Sequence, residues 1–164
     1  TYFDGKNIEQ RVDSLGYVLM DEASGNFFGK QLIRSYYFNE MPNNLAKEFE
    51  KEYDLRPDTI KENIYRRENP NTYLASFSRF LIKHKDNSPF QEIIKNGLKR
   101  FINHQILQFE NAHKIPIHFI GSIAFFLEKE IKDALKKDNL KMGRIVQRPI
   151  DELVTYHKRL LETS

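Results

Sequence analysis

The sequence predicts an α/β lobe, in which a small mixed sheet packs with helices and carries a helical insertion from about residue 26 to residue 111. Three observations support this prediction: a hairpin at the start of the chain, a long series of amphipathic helical segments, and a strand–helix–strand–helix order at the end. The 164 residues suffice for one domain with its own core, or for one lobe of a larger protein.

A hairpin is predicted at the start of the chain. Residues 1–3 are typical of the end of one strand, residues 4–7 of a tight turn, and residues 8–12 of the returning strand. The chain begins with Thr1, at what looks like the middle of a strand. We therefore expect the sequence to be a piece of a longer protein, in which the hairpin joins a sheet.

Five helices are expected between residues 26 and 111, because apolar residues recur there every three or four positions. They cover residues 26–38, a segment that includes Leu45 and Phe49, residues 58–67, residues 72–85 and residues 90–111. Prolines and asparagines separate them. Ser24 or Glu22 is expected to cap the first helix.

A short apolar strand that leads through a Gly-Ser turn into a helix is the most informative stretch. Residues 115–120 fit a buried strand, and Gly121 and Ser122 form the turn, with Ser122 as the helix N-cap. An amphipathic helix then continues to about residue 138. A last strand lies within residues 139–147, and a terminal helix follows it.

A helix that begins directly after a strand can form a ligand site, because its free N–H groups and the positive end of its dipole lie at the strand's C-terminal edge. Open α/β sheets bind nucleotides and phosphates there, and a Cβ at Gly121 would hold such a ligand away from the backbone. In many sheets, however, a strand followed by a Gly-Ser turn and a helix is only a connection and binds no ligand. The residues alone leave both interpretations of Gly121 and Ser122 open.

Three glycines and two adjacent acids precede the first helix, between residues 13 and 29. Asp21 follows an apolar run, so we expect its carboxylate to be partly buried and to need hydrogen-bond partners. One interpretation is a capping acid or an acid bound to loop amides. The other is a carboxylate that accepts hydrogen bonds from ligand hydroxyls, and the residues alone do not decide between them.

The composition excludes several classes of protein. Without cysteine the chain has no disulfide, no thiolate-ligated iron–sulfur cluster and no thiol catalysis, which suits a cytoplasmic protein. The formal net charge is only +3, with positive and negative residues mixed along the chain, and most aromatic residues fall at helical core positions, so nucleic-acid binding is not expected. We expect neither a membrane helix nor a signal peptide.

Common catalytic and metal motifs are not found in the sequence. The five histidines show no metal-ligand spacing, and there is no Gly-x-x-x-x-Gly-Lys loop, dinucleotide fingerprint or serine-hydrolase elbow. His118 lies in an otherwise apolar predicted strand. A core histidine with satisfied hydrogen bonds explains that position better than a metal ligand does.

Three short series of residues, in this order, resemble one protein family. They are Ser14-Leu15-Gly16 through Met20-Asp21-Glu22-Ala23-Ser24-Gly25, then Leu74-Ala75-Ser76-Phe77, then Phe119-Ile120-Gly121-Ser122-Ile123-Ala124. On these residues the chain resembles the C-terminal lobe of the N-acetylglucosamine kinase and BadF-type ATPase family. It is similar in particular to the small putative N-acetylglucosamine kinases of Bacteroides-type bacteria, over nearly its whole length.

The resemblance implies a ribonuclease H-like lobe of the actin, hexokinase and chaperone-ATPase superfamily. It implies half of a cytoplasmic two-lobe kinase that transfers the γ-phosphate of ATP to N-acetylglucosamine or a related amino sugar, with ATP and Mg²⁺ as cofactors. The expected partners are the sugar and ATP, with no nucleic acid and no membrane. A homodimer is an expectation of the same kind.

The family's Gly-Asp-Glu-Gly-Ser-Gly loop matches residues 20–25 of this sequence. The resemblance implies that its aspartate binds sugar hydroxyls and that the preceding turn lines the sugar site, which gives Ser14, Leu15, Gly16 and Asp21. Met20 and Ala23 stand where the family usually has glycine. Because of these two differences, the resemblance does not establish which sugar the chain would bind.

The family's adenosine pocket is carried over to Ala75, Gly121 and Ser122. Its first phosphate loop, its catalytic aspartate and its sugar-selecting residues belong to an N-terminal lobe, and its second phosphate loop precedes a hairpin like residues 1–12. None of these is in this sequence. The chain is therefore expected to hold no catalytic residue and to be inactive alone.

Two alternatives to the sugar kinase share its fold. An ATPase that activates a reductase through a bridging iron–sulfur cluster is disfavoured, because such a cluster needs thiolates and the chain has none. A catalytically silent regulator or interaction module that responds to a sugar or a nucleotide is the other alternative, and the departures at Met20 and Ala23 favour it.

Overall fold

The structure is a computed structural model that describes residues 1–162, and it divides into two compact units, residues 1–105 and a second unit that begins at Ile106. The first unit holds β1 (Tyr2–Phe3), β2 (Ile8–Glu9), α1 (Gly25–Tyr37), α2 (Asn43–Glu52), α3 (Pro57–Tyr65), α4 (Pro70–Ser76), α5 (Ser78–Lys83) and α6 (Ser88–Phe101). After a π-helix (Ile102–Ile106), the second unit holds β3 (Pro116–Ile120), α7 (Ser122–Phe126), α8 (Glu128–Lys137), β4 (Lys141–Val146) and α9 (Pro149–Glu162).

The predicted α/β class is confirmed, but the single mixed sheet is not. The described residues form two sheets of two strands each: β1 and β2 pair antiparallel in the first unit, and β3 and β4 pair parallel in the second. The hairpin strands are shorter than predicted, because residues 10–12 do not continue β2. Phe3 and Ile8 are 62% and 73% exposed, so the hairpin buries little apolar surface.

The core of the first unit is built around α1, which packs against α4, α5 and α6. Phe28 and Leu32 of α1 are completely buried. Helix α1 approaches α4 very closely at Gly29, where a Cβ would lie 1.8 Å from the Leu74 carbonyl oxygen. Only a residue without a side chain allows this crossing.

A cluster of aromatic rings fills the remainder of this core. Phe49 of α2 lies 4.9 Å from Phe80 and 5.7 Å from Phe77, measured between ring centroids. Phe90 at the start of α6 contacts Phe80 at 5.9 Å. These four rings are at most 1% exposed, and tilted or edge-to-face packing at such distances is the favoured geometry for aromatic pairs. The apolar positions predicted for these helices therefore do form the core.

The helix predicted over residues 72–85 is interrupted at Phe77. The hydroxyls of Ser76 and Ser78 donate to the carbonyls of Tyr73 and Ala75, three residues earlier, at 2.7 Å each. Serine hydroxyls that bind the preceding turn in this way compete with the backbone ladder and bend helices. The chain therefore forms α4 and α5 instead of one helix.

Two other predicted helices are also interrupted. The helix predicted to follow the Gly-Ser turn breaks at Leu127, whose φ of −107° and ψ of 24° leave the helical region, so α7 has only five residues. The helix predicted over residues 90–111 ends as α6 at Phe101, and the π-helix and a series of turns follow it.

The second unit contains a β–α–β arrangement, in which α7 and α8 connect the parallel strands β3 and β4. The predicted break after α8 is confirmed. Asn139 has a φ of 53°, the Leu140 N–H donates to the Leu135 carbonyl, and the Asn139 N–H donates to the Lys136 carbonyl. This pair of hydrogen bonds is a Schellman motif.

Strand β3 is less buried than predicted. Its residues alternate between exposed and half-buried, and Ile120 is 68% exposed. The physical reason is that, among the described residues, β3 pairs with β4 alone, whereas a buried strand has neighbours on both sides. No helix of residues 1–162 is both long enough and apolar enough to cross a membrane.

Candidate functional site

Residues 16–24 form a loop that is tied to α1 at several points, and we call it the Asp21 loop. The Met20 N–H donates to the Gly16 carbonyl at 2.9 Å, which closes a turn over Tyr17. The Lys30 ammonium of α1 donates to the Tyr17 carbonyl at 2.7 Å. At the other end of the loop Ser24 caps α1, because its hydroxyl accepts the Phe27 N–H at 3.1 Å. Of the two predicted caps, Ser24 is thus confirmed.

The backbone of the Asp21 loop is strained at two residues. Asp21 has a φ of 97° and Ala23 a φ of 59°, in the region that favours glycine. Within residues 1–162 the other non-glycine residues with positive φ are asparagines beside helix ends, where this conformation is common. Two strained residues within three positions are characteristic of binding and catalytic sites, where the surrounding structure holds them.

The Asp21 carboxylate is exposed, so the prediction that it would be partly buried is wrong. The reason is that the apolar residues before it, Val18 and Leu19, are themselves 71% and 72% exposed. Asp21 nevertheless has a partner, because Asn26 Nδ2 donates to its Oδ2 at 3.0 Å. Asp21 Oδ1 accepts no hydrogen bond from any other described residue and is available to a ligand.

The second acid of the loop, Glu22, pairs with Arg100 at the end of α6. Glu22 Oε1 lies 3.0 Å from the Arg100 guanidinium, and the Glu22 side chain is only 11% exposed. Burial alone would raise the pKa of Glu22, but the hydrogen bond and charge of Arg100, with a contribution from His104, more than offset it and lower that pKa. The two acids therefore differ, because Glu22 is neutralised by a cation and Asp21 is held by an amide.

The predicted sugar-lining residues Ser14, Leu15 and Gly16 are all exposed and lead directly into the Asp21 loop. Gly16 has a φ of 81°, a conformation that suits glycine, and its carbonyl accepts the hydrogen bond that closes the turn. Leu15 is 64% exposed, which makes it an apolar surface beside the loop. Within the first unit these residues and Asp21 therefore belong to one continuous segment.

The Gly-Ser turn of the second unit begins its helix one residue earlier than predicted. Gly121, with a φ of 120°, is the N-cap, and Ser122 is the first residue of α7, so the prediction of Ser122 as the cap is wrong. The reason is that the turn needs a backbone conformation that glycine adopts freely. Because α7 has five residues, its dipole also gives less support to an anion site than the predicted long helix did.

The space beside the Gly-Ser turn is open. Apart from the two residues next to Gly121 in the chain, a Cβ at this position would meet no described atom within 4 Å. Exposed apolar side chains flank the turn: Ile120 precedes it, and Phe125, whose N–H donates to the Gly121 carbonyl, is 44% exposed. The turn therefore has both free space and apolar surface.

The third residue of the predicted adenosine pocket, Ala75, lies in α4 of the first unit, whereas Gly121 and Ser122 lie in the second. Ala75 is half-buried against the first turn of α1, since a Cβ on Gly25 would lie 3.1 Å from the Ala75 Cβ. A larger side chain at position 75 would push against α1. Within its own unit Ala75 is therefore placed near the beginning of the helix that Ser24 caps.

His118 has a satisfied hydrogen bond, as predicted, but it is exposed instead of lying in the core. Its Nδ1 accepts the backbone N–H of Arg144 at 3.0 Å. The imidazole covers Gly143, where a Cβ would lie 2.8 Å from ring atoms. The hydrogen bond from Arg144 to the ring thus links β3 to β4 at the point where their register shifts, between Ile117 and Phe119.

The described residues provide no ready-made metal site. No three histidine, cysteine, aspartate or glutamate side chains come together in a way that could hold a metal ion, among the side chains that the structure describes. The Mg²⁺ implied by the family resemblance stays a prediction, because this ion is commonly held by one or two carboxylates together with the phosphates of a bound nucleotide.

Of three comparisons with known proteins, the one with solved structures agrees with this fold. No protein-family model matches the chain, and no curated protein does. A solved structure of a putative N-acetylglucosamine kinase from Porphyromonas gingivalis matches it with a TM-score of 0.87 and 36% sequence identity. The predicted resemblance to such kinases is confirmed. The match covers 94% of this chain and 54% of the Porphyromonas kinase, so the chain spans about half the length of that protein.

The sequence did not predict three residues that hold the Asp21 loop, namely Asn26, Lys30 and Arg100. Lys30 and Asn26 lie on a predicted helix, but nothing in the apolar pattern shows which way their polar side chains turn. Arg100 is 78 residues from Glu22, and no local pattern pairs residues so far apart. The sequence indicated the loop itself by its unusual density of glycines and acids and by its resemblance to the family's Gly-Asp-Glu-Gly-Ser-Gly loop.

Replacing Ala23 with glycine should stabilise the protein by about 0.5–1 kcal/mol, because a left-handed backbone costs an alanine roughly 1–2 kcal/mol and costs glycine almost nothing. Thermal unfolding would measure the gain as a higher Tm. Ala46→Gly, the same change inside α2, is the matched control and should lower stability by about 1 kcal/mol. If both variants lost stability equally, the φ of 59° at Ala23 would not be a source of strain.

Replacing Arg100 with methionine should cost about 1 kcal/mol at neutral pH, since Glu22 loses its partner while its side chain stays largely covered. The lowered pKa of Glu22 means that this stabilisation is present above its ordinary value of 4.5 and is lost as the pH falls through the folded-state pKa. Urea unfolding at several pH values should show wild type and variant converging in acid. Lys99→Met, at the exposed neighbouring position, should show no such convergence.

Proposed function

We propose that the chain is the sugar- and ATP-binding half of a cytoplasmic kinase with a ribonuclease H-like fold, which phosphorylates N-acetylglucosamine or a related amino sugar. Its similarity to the putative N-acetylglucosamine kinase of Porphyromonas gingivalis, at 36% identity, supports the sugar-kinase class. The proposal assigns sugar binding to the Asp21 loop and nucleotide binding to the Gly-Ser turn. The catalytic base and the phosphate loops are assigned to the part of the kinase to which this chain has no counterpart.

The geometry of the Asp21 loop is the observation that carries the proposal. Asp21 has a strained backbone, and Asn26 donates a hydrogen bond to its Oδ2 atom, which leaves its Oδ1 atom open to solvent. An ionised carboxylate is the strongest acceptor available for a hydroxyl donor, and sugars offer several such donors. Ala23 keeps the left-handed conformation that a glycine would take, so the departure from the family's glycine leaves this backbone conformation in place.

The surface beside the Gly-Ser turn supports the nucleotide half of the proposal. Ile120 and Phe125 offer exposed apolar surface, and Gly121 leaves the backbone accessible, which suits the planar base and the sugar of a nucleoside. With ATP bound, phosphoryl transfer would use electrostatic stabilisation of the transferred group and closure of two lobes around it. The residues of this chain bind and orient in that scheme, and none of them takes the proton.

Turnover by the full-length protein with ATP and a panel of hexoses and N-acetylated amino sugars tests the proposal. We expect ADP release that depends on one class of sugar, and no release from these 164 residues alone. Binding of a sugar without turnover would instead support the silent regulator. Binding of neither sugar nor ATP would contradict both functions.

A further inference from the structure

Asn26 is the partner of Asp21, and neither the proposed function nor the family resemblance gives it a role. It is the second residue of α1, two positions after the Ser24 cap, and it is half-buried. Its Nδ2 donates to Asp21 Oδ2 at 3.0 Å. Resting on the proposed function, we propose that Asn26 is a positioning residue that fixes the Asp21 carboxylate for sugar binding and thereby sets the affinity for the sugar.

The orientation of the Asn26 amide depends on Asp21. The Asn26 Oδ1 atom is buried and accepts no hydrogen bond within the described chain. In this orientation only the Nδ2 end of the amide makes a hydrogen bond, and it makes it to Asp21. The reverse orientation would bring that carbonyl oxygen against an Asp21 carboxylate oxygen, and two acceptors repel each other. The bond to Asp21 therefore selects the orientation, at the expense of a buried acceptor without a partner.

Asn26 holds the carboxylate without neutralising it. Glu22, the neighbouring acid, faces the Arg100 guanidinium and is neutralised by it. An amide donor leaves the full negative charge on Asp21, and a carboxylate with its full charge makes shorter and stronger hydrogen bonds to hydroxyl donors. Because Oδ2 is occupied by Asn26, the sugar would meet Oδ1, in one fixed direction. Such preorganisation raises affinity by lowering the ordering cost of binding.

A double-mutant cycle on sugar binding by the full-length protein tests this role. We expect Asn26→Ala to weaken binding of N-acetylglucosamine, or of the best sugar of the panel, about tenfold, with the Kd for ATP unchanged. In an Asp21→Ala background the same change should have no further effect, since a positioning residue acts only through the group it positions. Asn44→Ala is the matched control, because Asn44 is the exposed second residue of α2, and it should bind as wild type does.

Asn26→Asp supplies a second, independent measurement should the alanine variant fold poorly. Near neutral pH its carboxylate would repel Asp21 and weaken sugar binding. As the pH falls, one of the two carboxyls takes up a proton and can donate again, so binding should recover relative to wild type. A purely structural role of Asn26 would show no such recovery.

The outcomes separate this inference from the function on which it rests. If wild type binds a sugar and Asp21→Ala weakens that binding, but Asn26→Ala does not, the positioning role is overturned and the proposed function stands. A full tenfold loss from Asn26→Ala in the Asp21→Ala background would also overturn it, because Asn26 would then act on its own. Absence of any sugar binding by wild type would overturn both.

Discussion

Replacing Gly29 with alanine is expected to lower the free energy of unfolding by about 2–3 kcal/mol, because the new methyl group has no room. Its Cβ would lie 1.8 Å from the Leu74 carbonyl oxygen and 3.5 Å from the Phe77 Cβ, so α1 and α4 would have to separate. Alanine is the better helix former by about 1 kcal/mol, so a model based on propensity alone predicts the opposite sign. Urea unfolding of wild type and variant would measure the difference.

Gly25→Ala, one turn earlier on the same helix, is the matched control for Gly29→Ala. Its Cβ would lie 3.1 Å from the Ala75 side chain, a contact that a small shift relieves, so we expect a change within about 1 kcal/mol. Equal effects at the two positions would contradict the close approach of α1 to α4 at Gly29. A large loss at Gly29 alone would identify that crossing as the point on which the core of the first unit depends.

Replacing Asp21 with asparagine is expected to weaken sugar binding by the full-length protein by about 1–3 kcal/mol, which is roughly a 5- to 150-fold increase in Kd. The change removes the negative charge, and it allows an amide nitrogen to face the ligand hydroxyl in place of an oxygen. Calorimetric titration with the sugar would measure the loss. The Kd for ATP should change little, because the proposal places the nucleotide at the Gly-Ser turn.

Two further variants define what the Asp21→Asn result means. Asp86→Asn changes an exposed acid in the turn before α6 and should leave both affinities unchanged. Gly121→Val should do the reverse of Asp21→Asn and weaken ATP binding first, since a β-branched residue neither adopts a φ of 120° nor leaves the turn open. Equal loss of sugar and ATP binding in Asp21→Asn would indicate that Asp21 only maintains the fold.

The sequence predicted which segments are helical and which of their residues are buried, because both follow from the local spacing of apolar residues. Leu32, Phe49, Phe80 and Leu98 lie in segments with this spacing, and all are buried. It did not predict where helices break, since Phe77 and Leu127 continue the apolar stripe without glycine or proline. Those breaks depend on serine back-bonding and on packing, which periodicity does not record.

For the candidate site, the sequence identified the Asp21 loop and the Gly-Ser turn, but it did not reveal what surrounds them. Asp21 is exposed because Val18 and Leu19 before it are exposed, and a run of apolar residues in a sequence only suggests burial. The Glu22–Arg100 pair requires the fold to bring distant residues together. The shortness of α7 changed the electrostatic argument for Ser122, and only the dihedral angles at Leu127 reveal it.

The contact between His118 and Gly143 links two positions 25 residues apart in the chain. Where the pairing of β3 with β4 is irregular, the Arg144 amide receives its acceptor from the imidazole of His118. Position 118 therefore requires a side chain whose acceptor atom can reach the Arg144 N–H. Position 143 requires glycine, because the imidazole occupies the space that a Cβ would take. Across related sequences we expect positions 118 and 143 to vary together. Where a smaller residue replaces the histidine at 118, residues other than glycine should occur at 143.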